Sequence, residues 1–161
     1  MLPGAAQAGN VYCECNNDLR ATELAQRQNT MNTWGVYVHY ALRGMYKLDK
    51  YEGDVMRGLP NRALILQEYL QGREIQWSAF TSTTTSEAEA KIFADKGSGI
   101  IAKLGVLTGR RFGKLTFFEN ECEILLAPNT KFFVAKAPYL GADGWWYVDL
   151  VERATRDPFT F

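Results

Sequence analysis

Two acidic side chains in the last third of the chain have the type and spacing for acid–base chemistry. Glu121 and Glu123 stand two residues apart, so in a β-strand their side chains project from the same face. Mutual repulsion between such carboxylates raises the pKa of one of them, so that this group can take a proton while the other stays ionised. The run continues into aliphatic residues at 124–126, which indicates that the two carboxylates lie at the edge of the hydrophobic core. An acidic, solvent-facing strand edge is the alternative interpretation.

An arginine followed by a glycine forms the second candidate. Arg57 is predicted to end a short strand, and Gly58 follows it directly. A guanidinium offers a rigid fork of donors that suits a phosphate or a carboxylate. A glycine has no β-carbon, so a ligand can approach its backbone closely. An ordinary strand-end arginine beside a turn glycine would explain the same pair.

A run of hydroxyl side chains at 81–86 is the third candidate. Because strand side chains alternate between faces, Ser82 and Thr84 share one face, where their hydroxyls could orient a neighbouring carboxylate and a sugar. Thr83 belongs to the other face and is expected to pack its methyl group inward. A Ser/Thr-rich strand edge that leads into a helix cap is an equally simple explanation.

The elements that must position these side chains are predicted to be helices first and strands afterwards. Asp18 is predicted to cap a helix that runs through Ala25, and apolar residues at helical spacing predict a second helix from Thr30 to Met45. Runs rich in β-branched and aromatic residues between turn signals predict the strands. They lie near 54–58, 75–83, 99–107, 122–126, 131–136 and 145–151.

Two shorter helices are predicted to interrupt the strands. One covers about 61–70 and the other follows Ser86, whose hydroxyl would cap the Glu89 amide while Glu89 reaches back in a capping box. Helices followed mostly by strands indicate an α+β fold, with a sheet or sandwich whose faces are covered by each other and by the helices.

Composition restricts the class of protein. With 161 residues and 47% hydrophobic content, one domain over 1–161 is expected, with a helical part at about 16–47 and a β-rich part at about 51–153. Lys+Arg and Asp+Glu both number 18, so no basic excess indicates a nucleic-acid partner or a membrane surface. Three cysteines and the single His39 match no usual metal site or disulfide framework. Without a long apolar span, a soluble protein is expected, either cytoplasmic or secreted.

Taken in order, the three segments resemble the arginine-serine-glutamate mono-ADP-ribosyltransferases, which include bacterial toxins and vertebrate ecto-enzymes. In that family one strand carries Arg-Gly, a second carries Ser-Thr-Ser after an aromatic residue, and a third carries Glu-x-Glu before an aliphatic pair. The matching positions are Arg57-Gly58, Phe80 with Ser82-Thr83-Thr84, and Glu121-Cys122-Glu123-Ile124-Leu125. Met56 stands where an aromatic residue often precedes the arginine, and Thr84 replaces the last serine. Glu119 and Glu121 form a second Glu-x-Glu, but the aliphatic pair follows Glu123 directly.

The resemblance implies a mostly antiparallel two-sheet β core with the N-terminal helices packed on it, and NAD as co-substrate without a metal. The implied NAD-binding set is Arg57, Gly58, Ser82, Thr83, Thr84 and Glu123. In this set Arg57 lies near the phosphates and the Gly58 backbone holds the nicotinamide amide. Ser82 fixes Glu123, which stabilises the oxocarbenium-like state formed as nicotinamide leaves.

The resemblance also implies a protein acceptor and its recognition. Glu121 would orient and deprotonate an acceptor guanidinium, which predicts arginine as the modified residue. Phe117 or Phe118 would be the exposed aromatic that contacts the acceptor protein, although a buried hairpin aromatic is as plausible. A monomer is expected. An NAD glycohydrolase with the same site and a non-catalytic binding module on this fold are the alternatives.

Overall fold

The computed structural model describes residues 11–112 and 122–153. Within these ranges the chain forms four helices and seven strands. The helices are α1 (Val11–Leu19), α2 (Leu24–Tyr46), α3 (Arg62–Glu68) and α4 (Glu87–Phe93). The strands are β1 (Lys50–Leu59), β2 (Glu74–Trp77), β3 (Thr81–Thr84), β4 (Ile100–Arg111), β5 (Glu123–Leu126), β6 (Thr130–Leu140) and β7 (Trp146–Glu152). None of these helices has the length and apolar character that a membrane crossing requires.

The strands are hydrogen-bonded into one sheet of order β1-β3-β5-β4-β7-β6-β2, and β1 also pairs with β4. All pairs are antiparallel except β4 with β7. Because β1 pairs with both β3 and β4, the strands β1, β3, β5 and β4 form a closed ring. The strands β7, β6 and β2 extend the sheet from β4. The predicted α+β fold with a mostly antiparallel core is confirmed, and its two expected sheets are joined into one.

Three apolar clusters hold the helices on this sheet. The largest joins residues of most of the strands and includes Phe132, Ile100 and Leu104, which are almost fully buried. A second packs α1 and α2 against the residue before β3 and the residue after β5, through Cys15, Val38, Met45, Phe80 and Ala127. The third packs α4 against β4 and β7, through Ala90, Ala94, Ile101 and Tyr147. Burial of this apolar surface is the main stabilising contribution to the fold.

The two N-terminal helices begin earlier than predicted. Asp18 lies in the last turn of α1, where its carboxylate accepts a hydrogen bond from Trp34 Nε1 at 2.7 Å, so its predicted role as a helix cap is wrong. Helix α2 begins at Leu24 rather than at residue 30. The first turns of α2 are exposed along 24–29, so they carry no apolar periodicity that could reveal a helix.

The strand predicted at 75–83 is two strands with different partners. Strand β2 pairs with β6 at one edge of the sheet, whereas β3 pairs with β5 near the other. Between them Asn16 of α1 fixes the turn, since its buried side chain donates to the Phe80 carbonyl at 3.2 Å and accepts from the Phe80 amide at 3.0 Å. Alternation of side chains extends across both strands, so it could not reveal where the pairing partner changes.

The predicted capping box at α4 takes a different form. As expected, Ser86 Oγ accepts a hydrogen bond from the Glu89 amide at 3.3 Å. The Ser86 amide, however, donates to Thr84 Oγ1 at 3.0 Å, and the Glu89 carboxylate accepts from the same Thr84 hydroxyl at 2.6 Å. Thr84 therefore stands between the two partners of the box and ties the helix to strand β3.

Candidate active site

Adjacent strands bring the three candidate segments together. Arg57 lies on β1, and β1 pairs with β3 at Met56 and Thr84. Strand β3 pairs in turn with β5, which places Thr84 opposite Glu123. Segments that are far apart in the sequence thus become neighbours because their strands share hydrogen bonds.

Ser82 and Glu123 are joined directly. The Ser82 hydroxyl donates a hydrogen bond to Glu123 Oε1 at 2.5 Å, in a partly buried position. The next hydroxyl, of the buried Thr83, donates to the Ile124 carbonyl at 2.7 Å, which fixes the register of the two strands. A carboxylate held by a charge-assisted hydrogen bond on a paired strand is preoriented, and one of its oxygens remains for another partner.

Arg57 is held to the same serine. Its Nη1 donates to the Ser82 carbonyl oxygen at 2.5 Å. Ser82 therefore accepts from a cation through its carbonyl and donates to an anion through its hydroxyl. The structure thus places the guanidinium of Arg57, the hydroxyl of Ser82 and the carboxylate of Glu123 in one continuous hydrogen-bonded chain.

The electrostatic surroundings of Arg57 include two residues that sequence reasoning missed. Burial lowers the pKa of Arg57, and the positive charge of Arg20 lowers it further, while Tyr12 acts in the opposite direction. Tyr12 belongs to α1 and Arg20 follows its end. Two guanidinium groups near each other create a local positive potential that suits an anion with more than one charge. No motif marks Tyr12 or Arg20, because only the docking of α1 brings them to β1.

Asn16, which holds helix α1 against the sheet, was also missed by sequence reasoning. The two hydrogen bonds between the Asn16 side chain and the Phe80 backbone imitate those of a neighbouring strand. Phe80 lies two residues before Ser82, so this contact fixes the approach of α1 to the candidate site. An asparagine in a helix carries no sequence signal for such a role.

Gly58 is required by packing. A β-carbon at this position would lie 2.4 Å from the Ala90 carbonyl oxygen and 2.7 Å from the Ala94 amide nitrogen, and both are backbone atoms of the α4 segment. The glycine therefore lets α4 approach β1 closely. Whether a ligand also uses the Gly58 backbone stays a prediction.

We expect Gly58→Ala to lower the free energy of unfolding by about 2–3 kcal/mol, because the added methyl group forces α4 away from β1. Chemical denaturation of the purified variant measures the loss. Gly105→Ala is a matched control on β4, since its β-carbon would meet no atom closer than 3.9 Å. A Gly58→Ala protein with the stability of Gly105→Ala would contradict the packing role.

Of the remaining candidate residues, Thr84 lies within the described part of the chain, whereas Glu121, Phe117 and Phe118 do not. Thr84 is buried, and its hydroxyl donates to Glu89 within the protein, so its expected role in binding NAD stays a prediction. Glu121, Phe117 and Phe118 lie outside the described residues, and their expected roles stay predictions.

Comparison with known proteins identifies the family. A family model described as NAD:arginine ADP-ribosyltransferase matches residues 5–156. A Mycobacterium avium (strain 104) protein with the provisional name NAD(+)–arginine ADP-ribosyltransferase Mav is 32% identical over 149 residues, covering 92% of this chain and 17% of that protein. The corresponding Vibrio splendidus (strain 12B01) protein Vis, also provisionally named, is 27% identical over 140 residues, covering 78% of this chain and 53% of Vis. The chain therefore spans only part of either relative.

Solved structures share the fold. Vis in complex with agmatine superposes with a TM-score of 0.70 at 22% identity, over 94% of this chain and 73% of Vis. HopU1 of Pseudomonas syringae superposes with a TM-score of 0.69 at 22% identity, over 89% of this chain and 66% of HopU1. Both are ADP-ribosyltransferases by name. The family model covers nearly the whole chain, and the chain therefore belongs to the NAD:arginine ADP-ribosyltransferase family.

Proposed function

We propose that this domain transfers ADP-ribose from NAD to the guanidino group of an acceptor arginine and releases nicotinamide, and that it acts as a monomer. The observation that carries the proposal is the hydrogen-bonded chain from Arg57 through Ser82 to Glu123. It joins a cation, a hydroxyl and an anion at a fixed spacing, which is the arrangement that a charged dinucleotide and a cationic transition state require.

Glu123 is the group that stabilises the transition state. As the C–N bond between ribose and nicotinamide breaks, the bonding electrons leave with nicotinamide, whose ring becomes neutral. The ribose carbon acquires positive charge, and a preoriented carboxylate lowers the energy of that state. Because Ser82 holds Oε1, the carboxylate reaches this geometry without reorganising at the moment of reaction.

Arg57 and Arg20 are proposed to hold the diphosphate of NAD. Both carry positive charge, and the charge of Arg20 acts on Arg57, whose pKa it lowers. Arg57 is already oriented by Ser82, so its remaining donors are presented in a fixed plane. Binding of the diphosphate would offset the repulsion between the two guanidinium groups.

The acceptor is proposed to be arginine because Glu121 precedes Glu123 by two residues. A guanidinium is protonated in water and becomes a nucleophile only when a base engages it. In the proposed step a guanidino nitrogen of the acceptor bonds to the ribose carbon while Glu121 takes the proton. Vis has been crystallised with agmatine, which also carries a guanidino group. Phe117 or Phe118 is proposed to contact the acceptor protein.

Incubation with NAD and agmatine tests the transfer. We expect nicotinamide release accompanied by ADP-ribosylagmatine, measured by liquid chromatography with mass detection. Free ADP-ribose without a guanidino product would instead indicate an NAD glycohydrolase. Binding of NAD without any turnover would indicate a non-catalytic module.

A Glu121→Gln variant separates the two half-reactions. It keeps Glu123 and is expected to go on releasing nicotinamide while agmatine transfer falls by roughly 100-fold, within the range seen for a positioned general base. An amine without a guanidino group, such as butylamine, is the acceptor control. Equal transfer to butylamine and to agmatine would contradict the arginine assignment.

A further inference from the structure

Helix α4 contacts the strand that carries Ser82. Oε2 of Glu89 accepts a hydrogen bond from the Thr84 hydroxyl at 2.6 Å, and this hydroxyl also accepts from the Ser86 amide at 3.0 Å. Thr84 is only 8% exposed. Since a hydroxyl has one proton, the Thr84 hydroxyl donates that proton to Glu89 in this structure.

Thr84 stands where three strands of the site meet. It pairs with Met56 of β1 on one side and with Glu123 of β5 on the other. These two strands carry Arg57 and Glu123, and Thr84 itself follows Ser82 by two residues. A displacement of Thr84 would therefore shift the backbone of Glu123 relative to the hydroxyl that orients it.

Helix α4 is a firm support for Glu89. Its backbone lies against β1 at Gly58, where even a methyl group would not fit. Lys91 also bridges the carboxylates of Glu87 at 2.8 Å and Asp143 at 2.9 Å, which connects the helix to the turn before β7. Helix α4 is thus held by its packing on Gly58 and by the Lys91 ion pairs, and it carries Glu89 to Thr84.

We propose that Glu89 is a positioning residue for Glu123 that acts through Thr84. The inference rests on the proposed function, because it assigns to Glu89 the task of keeping the Ser82–Glu123 pair in reactive geometry. Glu89 binds Thr84, Thr84 fixes the end of β3, and β3 fixes Glu123. A loss of this contact should slow the chemical step without removing the groups that bind NAD.

Variants of the full chain test the proposal by steady-state nicotinamide release with agmatine. We expect Glu89→Ala to lower kcat about tenfold while the KM for NAD stays within about threefold, and Thr84→Val to lower kcat by at least the same factor. The double variant is expected to lose no more than Thr84→Val alone, because Thr84→Val already removes the contact that Glu89→Ala breaks. Glu89→Gln, whose amide oxygen can still accept from Thr84, is expected to recover most of the loss.

Ser86→Ala is the matched structural control. It removes the side-chain cap of α4 and leaves the Thr84–Glu89 hydrogen bond in place. We expect a lower melting temperature with kcat near that of the parent. Equal kcat losses in Ser86→Ala and Glu89→Ala, or a Glu89→Ala protein with parental kcat, would overturn the positioning role.

Amide NMR spectra supply a readout that does not depend on turnover. We expect Glu89→Ala to shift the Ser82 and Glu123 amide resonances, whereas Ser86→Ala should affect only residues near the start of α4. Shifts confined to 84–89 in both variants would reject the proposal even in a protein without activity. A parent protein that fails to turn over NAD would count against the proposed function alone.

Discussion

Replacing Glu123 with Gln is expected to lower kcat for nicotinamide release by roughly 100- to 1000-fold, equivalent to about 3–4 kcal/mol of lost transition-state stabilisation. The amide keeps an oxygen that can accept the Ser82 hydrogen bond, so the side chain can hold its place. The negative charge is lost, and with it the attraction to the cationic ribose. Affinity for NAD, measured by calorimetry, should change by no more than about threefold, because the charge acts mainly in the transition state.

Glu68→Gln is a matched control for this experiment. Glu68 is an exposed carboxylate at the end of α3, so the same change in net charge occurs away from the site. Its kcat should equal that of the parent. A Glu123→Gln protein that consumes NAD at the parental rate would remove Glu123 from the mechanism.

Arg57→Lys is expected to lower kcat/KM for NAD by about 100-fold, mainly through weaker binding of NAD. Lysine keeps the positive charge but lacks the planar fork, so it cannot present a parallel pair of donors to a phosphate while it also binds the Ser82 carbonyl. Loss of the bond to Ser82 should also reduce the free energy of unfolding by about 1 kcal/mol. Calorimetric titration with NAD and chemical denaturation measure the two effects separately.

Arg27→Lys provides the corresponding control on the exposed surface of α2. It should leave both NAD affinity and stability at parental values, since a lysine can replace an exposed arginine there. Parental NAD affinity in Arg57→Lys would argue that the guanidinium only joins β1 to β3 and has no role in binding.

Glu123→Gln and Arg57→Lys are expected to affect different steps of the proposed reaction. Glu123→Gln should change kcat with little effect on binding, whereas Arg57→Lys should change binding more than kcat. Ser82 connects the two residues, so the effects are not expected to be strictly additive. Measurement of the double variant would give the strength of that coupling.

Local patterns in the sequence were enough to predict most elements and the three segments of the site. Residue type and strand alternation make Arg57, Ser82 and Glu123 candidates, and the resemblance of their three segments to a known family assigns them to one site. The Ser86 cap follows from a short motif. These features depend on neighbours a few residues away, which a single sequence records. The same reasoning failed at Asp18 and at the start of α2, where exposed polar residues leave no apolar period.

Tertiary structure alone decided which strands pair and what each helix touches. The segment 75–83 forms two strands that pair with different partners, β6 and β5. The Thr84 hydroxyl donates to Glu89, and Gly58 leaves room for the backbone of the α4 segment. The tertiary structure also placed Arg20, just after α1, where its positive charge lowers the pKa of Arg57. The sequence by itself determined the kinds of chemical group and their local spacing. Their convergence depends on hydrogen bonds and packing between residues distant along the chain, which are settled only when the whole core forms.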